Sequence, residues 1–191
     1  MLPPVMPLMS PRSTSPRVIV LMGVSGCGKS TTGRLLARAL DWPFRDADTF
    51  HPEANIRKMS QGVPLDDEDR MPWLAAVAAW IDGHRSEGTC GVVSCSALKR
   101  RYRELLIGPR ADVGLVFLHG SFALISDRLS RRRGHFMPPE LLRSQFVALE
   151  KPGHDESALC ISVRLPPKRV VERIVTAFNL PTVRRVPAAD A

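Results

Sequence analysis

Gly23-Val24-Ser25-Gly26-Cys27-Gly28-Lys29-Ser30-Thr31 is the stretch on which the fold turns. From Gly23 to Ser30 it satisfies the pattern G-x-x-x-x-G-K-S of a phosphate-binding loop. Such a loop wraps backbone N–H groups around phosphate oxygens, and glycine is required wherever a Cβ would block the turn or the approach. Lys29 then reaches the β- and γ-phosphates, Ser30 offers its hydroxyl to Mg2+, and the following helix adds the partial positive charge of its N-terminus. A Gly-rich turn can match the pattern by accident. Here, however, an apolar run at 18–22 leads into the loop and a helix-period stretch at 29–40 leads out of it, which is the context the motif requires. The whole segment, Gly23 to Thr31, is read as a nucleoside triphosphate site.

Outward from this loop the same alternation continues. Short runs rich in Val, Ile and Leu stand at 18–22, ending near Arg45, at 92–95, at 115–118 and at 159–163. Helix-period stretches fall at 29–40, 52–60, 71–84, 99–107, 122–133, 139–149 and 168–178. This pattern predicts an α/β fold whose parallel sheet is buried on both faces by helices. Pro3, Pro4, Pro7, Pro11 and Pro16 predict a disordered leader over 1–16, and Pro181 and Pro187 a flexible tail over 181–191. A single domain is expected between them, at 17–180.

Composition fits one globular domain: 191 residues, 44% hydrophobic and 24% charged. No 18-residue apolar stretch exists, which argues against a membrane partner. Cys27, Cys90, Cys95 and Cys160 lack paired metal-ligand spacing and no secretion signal precedes them, so a reducing, cytoplasmic setting is expected. The 27 basic and 19 acidic side chains give +8, a value that suits either nucleic acid or small anions. The excess is focal, concentrated in Lys99, Arg100, Arg101 and Arg103 and in Arg128, Arg131, Arg132 and Arg133. A nucleic-acid surface would spread its cations and interleave aromatics, whereas aromatics make up 6%. No nucleic-acid partner is expected.

Asp46-Ala47-Asp48 follows the second strand, where open α/β sheets place their ligands. On an extended segment these carboxylates, two residues apart, face one side. Asp46 is assigned to the metal shell, and Asp48 to orienting or deprotonating an acceptor hydroxyl. Without that context the pair would be a turn cap. His51 is either a satisfied loop histidine or a substrate contact, and Arg70 and Trp73 either pack or flank an acceptor pocket. The acidic run Asp66-Asp67-Glu68-Asp69 suits a helix start, with Pro72 tolerated in the first turn. Lys99 is expected on an anionic group of the acceptor, while Arg100, Arg101 and Arg103 suit a solvated helix face. Cys95 reads as a small strand-end residue. The segment at about 128–140 suits a mobile lid, with Arg128 and Arg132 turned inward by helical spacing onto the triphosphate and the transferring group; a surface patch is the plainer reading of those arginines.

Taken together, the blocks GVSGCGKST, DADTFHPEANIRKMSQGVPLDDEDRMPWL, CSALKRRYRELL and RRRGHFMPPELLRSQFVALEKP resemble the small P-loop gluconokinase family from 18 to about 178. That resemblance implies a nucleoside-monophosphate-kinase-like, three-layer P-loop NTPase fold with a five-stranded parallel sheet, and a homodimer. It implies transfer of the γ-phosphoryl of ATP, with Mg2+, to the 6-hydroxyl of D-gluconate. By position, Asp48, His51, Arg57, Arg70 and Lys99 would line the sugar-acid pocket, with Lys29, Asp48 and Arg132 catalytic and Ser30 and Asp46 on the metal. Ala47 stands where relatives often have Gly, and Cys27 places an oxidisable thiol beside ATP. A shikimate or nucleoside-monophosphate kinase on the same fold is the alternative, and a nucleotide-dependent nucleic-acid-binding protein a more distant one.

Overall fold

Residues 15–131 and 139–182 are described by the computed structural model. Within them β1 (Val18–Met22) runs straight into the phosphate loop and α1 (Lys29–Leu40). Then come β2 (Phe44–Asp46), a 3-10 turn (Ala47–Phe50), α2 (Glu53–Ser60) and α3 (Asp67–Ser86). The chain continues through β3 (Gly91–Ser94), α4 (Arg100–Leu106), β4 (Val113–His119), α5 (Phe122–Ser130) and α6 (Pro139–Ala148). A second 3-10 turn (His154–Glu156), β5 (Leu159–Ser162) and α7 (Pro167–Ala177) complete it.

The five strands form one parallel sheet in the order β2-β3-β1-β4-β5. All five residues of central β1 are 0% exposed, so each contributes about 1.5–3 kcal/mol relative to an exposed position. The two-residue period of the strand splits them between layers. Ile19 and Leu21 pack with Leu36 of α1, Ile125 of α5, Leu142 of α6 and Ile174 of α7. Val18, Val20 and Met22 pack with Trp73 and Val77 of α3 and Tyr102 and Leu106 of α4. Helices therefore cover both faces, as the apolar strand runs require.

Several boundaries differ from the sequence reading. The α3 helix begins at Asp67 rather than 71, because Asp66 and Asp69 close a capping box: Asp69 N–H donates to Asp66 Oδ1 at 2.8 Å and Asp66 N–H to Asp69 Oδ2 at 3.1 Å. Pro72 is consequently interior to the helix and outside its first turn. It deprives the Glu68 carbonyl of a donor, but Glu68 and Pro72 are both exposed, where water can serve that oxygen. At the N-terminus the folded chain already includes 15–16: Ser15 Oγ donates to the Asn179 carbonyl at 3.0 Å and Pro16 is buried. The rest of the leader, the tail from 183 and lid residues 132–138, Arg132 among them, lie outside the described residues.

Candidate active site

The carboxyl ends of β1, β2 and β3 bring three loops together. Gly23 N–H donates to the Ser96 carbonyl at 3.2 Å, and Cys95 N–H to the Leu21 carbonyl at 3.0 Å, tying the phosphate loop to the loop after β3. Gly26, at φ +78, could carry no Cβ without meeting Leu129 of α5 at 2.5 Å. Gly28, at φ +100, leads the chain into α1 with no atom within 4 Å of a notional Cβ, leaving the concave side of the loop open to an anion. Lys29 Nζ folds back across the loop and donates to the carbonyls of Gly23 at 3.0 Å and Val24 at 3.1 Å.

Cys27 does not present its thiol to this cradle. It is 1% exposed, and burial pushes its pKa up, opposed by Lys29 and Arg128. The expectation of an oxidisable thiol beside ATP is thus corrected, since the reactive thiolate is suppressed. Cys95 is equally inert, its pKa pushed up to about 12 by burial.

On the α1 side of the sheet, Ser30 Oγ donates to Asp46 Oδ2 at 2.6 Å. Ser94 pairs in register with Asp46, so both side chains leave the same face of the sheet. The Ser94 hydroxyl is buried and has no hydrogen-bond partner among the described residues. Two hydroxyls and a carboxylate form a hard oxygen set, the chemistry Mg2+ favours.

Asp46 and Asp48 do not share an extended segment. Asp46 ends β2 and caps the 3-10 turn, its Oδ1 accepting from Asp48 N–H at 3.4 Å, and Asp48 lies exposed within that turn. The turn is held by Trp73, 2% exposed, whose Nε1–H donates to the Ala47 carbonyl at 2.7 Å. The Trp73 ring also stacks on His51 at 4.4 Å and 13°. One α3 side chain thereby positions two residues that flank Asp48, Ala47 and His51. Trp73→Phe keeps the stack and orphans a buried carbonyl, so a loss of about 1–3 kcal/mol is expected, read as a lower urea midpoint at constant slope. An unchanged midpoint would show that the indole bond contributes nothing.

His51 lies beside Asp48 and Arg70. Burial lowers its pKa most, Arg70 lowers it further, and Asp48 opposes both. The ring is therefore neutral at pH 7. Asn55 Nδ2 can only donate, and it sits 3.4 Å from His51 Nδ1, so the ring proton is placed on Nε2. Asn55 itself is 3% exposed and anchored to the Asp69 carbonyl at 2.8 Å. Sequence reading missed Asn55, although it lies inside the block that carries the resemblance.

The remaining predicted cations are dispersed. Arg57 is on the solvent face of α2, 3.9 Å from Glu53. Lys99 Nζ donates to Asp67 Oδ1 at 3.0 Å, and Asp67 also accepts from Tyr102 and Arg101. Tyr102 first, then Lys99, hold the Asp67 pKa down at about 2. Arg70 and Lys99 lie near the Tyr102 ring, at 6.0 and 5.7 Å from its centroid, and Arg70 also acts electrostatically on His51. Arg128 donates to the Val163 carbonyl at 2.6 Å and acts on Cys27 electrostatically, placing it near the phosphate loop.

Arg103 departs furthest from expectation. It is 1% exposed, not solvated, and donates to Glu156 Oε1 at 2.8 Å and to the carbonyls of Ala97, Leu98 and Glu150 at 3.2, 3.1 and 2.9 Å. It thereby holds the loop after β3, in which Ala97 adopts φ +43, a conformation that a non-glycine residue keeps only where its surroundings impose it. Arg100 pairs with Glu104 and Asp155, and Arg131 with Asp127. The run at 99–103 is thus matched throughout by neighbouring acids, Lys99 and Arg101 sharing Asp67. A cavity of about 580 Å3 adjoins the site, with Val24, Leu118, Ser121, Phe146, Lys151 and Cys160 in its wall.

Comparison with known proteins places this geometry in context. The chain matches the shikimate kinase family over residues 25–178. It is 46% identical over 164 residues to a gluconokinase of Gluconobacter oxydans, covering 86% of this chain and 92% of the relative. A probable gluconokinase of Rattus norvegicus is 47% identical over 167 residues, covering 78% and 90%. Among solved structures, a gluconokinase from Sinorhizobium meliloti 1021 aligns with a TM-score of 0.79 at 42% identity, over 87% of this chain and 93% of that one.

Proposed function

The chain belongs to the shikimate kinase family and, within it, to the gluconokinases, and from that premise we propose that it transfers the γ-phosphoryl group of ATP to the 6-hydroxyl of D-gluconate, releasing 6-phospho-D-gluconate and ADP. The arrangement of Asp46 and Asp48 on either side of one pinned carbonyl carries this reading. One carboxylate is bonded to the phosphate-loop hydroxyl, and the other is exposed beside a neutral histidine. Donor and acceptor chemistry thus meet across two residues.

In this scheme the loop from Gly23 to Thr31 cradles the phosphates with those of its amides that are not bonded within the protein, Lys29 follows the γ-phosphate, and Arg128 and Arg132 are assigned to the triphosphate. Ser30 and Asp46 would hold Mg2+, whose contribution is to neutralise charge on the β- and γ-phosphoryl oxygens. Asp48 orients the 6-hydroxyl and takes its proton as the oxygen attacks phosphorus. His51 Nε2–H donates to a neighbouring hydroxyl of the sugar chain. Arg57, Arg70 and Lys99 supply the cations for the carboxylate end. The unpaired cysteines suit a reducing, cytoplasmic setting, and the assembly is a homodimer like the one the family resemblance implies.

ADP release measured side by side with D-gluconate, other sugar acids, shikimate and AMP tests the assignment. Turnover with D-gluconate at least about 100-fold above the others is expected, because a site that hydrogen-bonds one acceptor leaves buried polar groups unpaired against the wrong one. Turnover confined to shikimate or AMP would overturn it.

A further inference from the structure

We infer that Gln145 of α6 is a positioning residue for phosphoryl transfer: it pins the Val24–Ser25 peptide of the phosphate loop and, through that peptide, Lys29. This rests on the kinase reading above. Ser25 N–H donates to Gln145 Oε1 at 2.7 Å. A backbone N–H can only donate, so the side-chain oxygen is fixed as the anchored end. The same peptide unit presents the Val24 carbonyl to Lys29 Nζ at 3.1 Å and to Cys27 N–H at 3.3 Å. The peptide is trans, so its N–H and carbonyl point to opposite sides. Holding the N–H at Gln145 therefore aims the carbonyl at the ammonium group.

Gln145 is itself held in a fixed frame. The chain that leaves α6 is bonded to the acceptor-side loop: Glu150 N–H donates to the Leu98 carbonyl at 2.9 Å, and Glu150 Oε2 accepts from Arg100 N–H at 2.6 Å, capping α4. Farther along, Glu156 accepts from buried Arg103 and from Gly153 N–H. Residues 145–156 thus span from the acceptor loop to the phosphate loop. Among the described residues, the Ser25–Gln145 bond is the one hydrogen bond by which this span grips the phosphate loop. Displacing a reacting group by about 1 Å can cost on the order of 100-fold in rate, so such a link governs turnover more than affinity.

Gln145→Ala in the full-length chain is expected to lower kcat about tenfold, the size of one positioning hydrogen bond, with both KM values within about twofold and the melting temperature unchanged. Gln145→Glu keeps the accepting oxygen and is expected to restore most of that kcat, with KM for ATP raised by like charge. In the nucleotide-free protein, hydrogen exchange at the Ser25 amide should accelerate in the Ala variant and stay slow in the Glu variant. An Ala variant with wild-type kcat, a Glu variant as slow as Ala, or unaltered Ser25 exchange overturns the proposal. Should the wild-type chain fail to phosphorylate D-gluconate while Ser25 exchange responds as stated, the acceptor assignment falls and the Gln145 link stands.

Discussion

Lys29→Ala is expected to lower the rate of phosphoryl transfer by about 1,000-fold, equivalent to about 4 kcal/mol of transition-state stabilisation, while stability in urea changes by less than about 1 kcal/mol. The two halves of this expectation have separate origins. In the folded chain the ammonium bonds the carbonyls of Gly23 and Val24 at the loop entrance, a partly exposed contact whose loss is small. During transfer the same group must follow charge spread over the γ-phosphoryl oxygens, where a preorganised cation acts at low dielectric and is worth far more. Single-turnover transfer with saturating ATP separates the two. A rate within about tenfold of wild type would remove Lys29 from the transition state and with it the reading of Gly23 to Ser30 as a kinase loop.

The parts of this site that were legible in the sequence are those specified by local rules. The phosphate loop follows from glycine spacing, and β1, β3 and β4 lie within a few residues of their expected runs because burial on both faces demands consecutive apolar residues, whereas the edge strands β2 and β5 are only partly buried. The parts that were not legible depend on partners far apart in the chain. Arg103 sits in a basic run and reads as solvated, yet Glu156, from a turn more than fifty residues on, draws it into the core. Lys99 likewise takes its partner from far away in the chain, Asp67 at the start of α3. Asp46 and Asp48 do not lie on the extended segment expected for them, since the 3-10 turn that carries Asp48 is held by an indole in α3. Gln145 carries no local signal at all.

These pairings also change the meaning of the +8 charge. Arg100, Arg101 and Arg103 are matched by Asp155, Asp67 and Glu156, so the run at 99–103 offers little free cationic surface. What it supplies is order: a buried guanidinium costs several kcal/mol if left unpaired, which fixes the loop carrying Ala97 and Lys99 in one conformation. The cations left for substrate are then few and individually placed, as recognition of a small anion requires.

Asp48→Asn is expected to reduce kcat with D-gluconate by about 100- to 10,000-fold, the range spanned by general acid–base catalysis, with KM for ATP within about twofold of wild type. The asymmetry follows from placement. Asp46 is bonded to Ser30 and belongs to the nucleotide side, whereas the Asp48 carboxylate is exposed and accepts no hydrogen bond among the described residues, leaving its oxygens for an acceptor hydroxyl. Asparagine preserves shape and can still orient that hydroxyl, but it cannot take the proton, so the loss falls on the chemical step. His51 does not compensate. Its ring is neutral, but with Nδ1 engaged by Asn55 its proton is on Nε2, the nitrogen facing away from Asn55, so it donates where Asp48 accepts. If the Asn variant turned over at the wild-type rate, proton acceptance would have to be reassigned and Asp48 would be left as an orienting group; if instead KM for ATP rose in step with the loss of kcat, Asp48 would belong to the nucleotide side with Asp46. The expected separation, a large fall in kcat at constant KM for ATP, is the kinetic signature of two adjacent carboxylates that one pinned carbonyl assigns to opposite substrates.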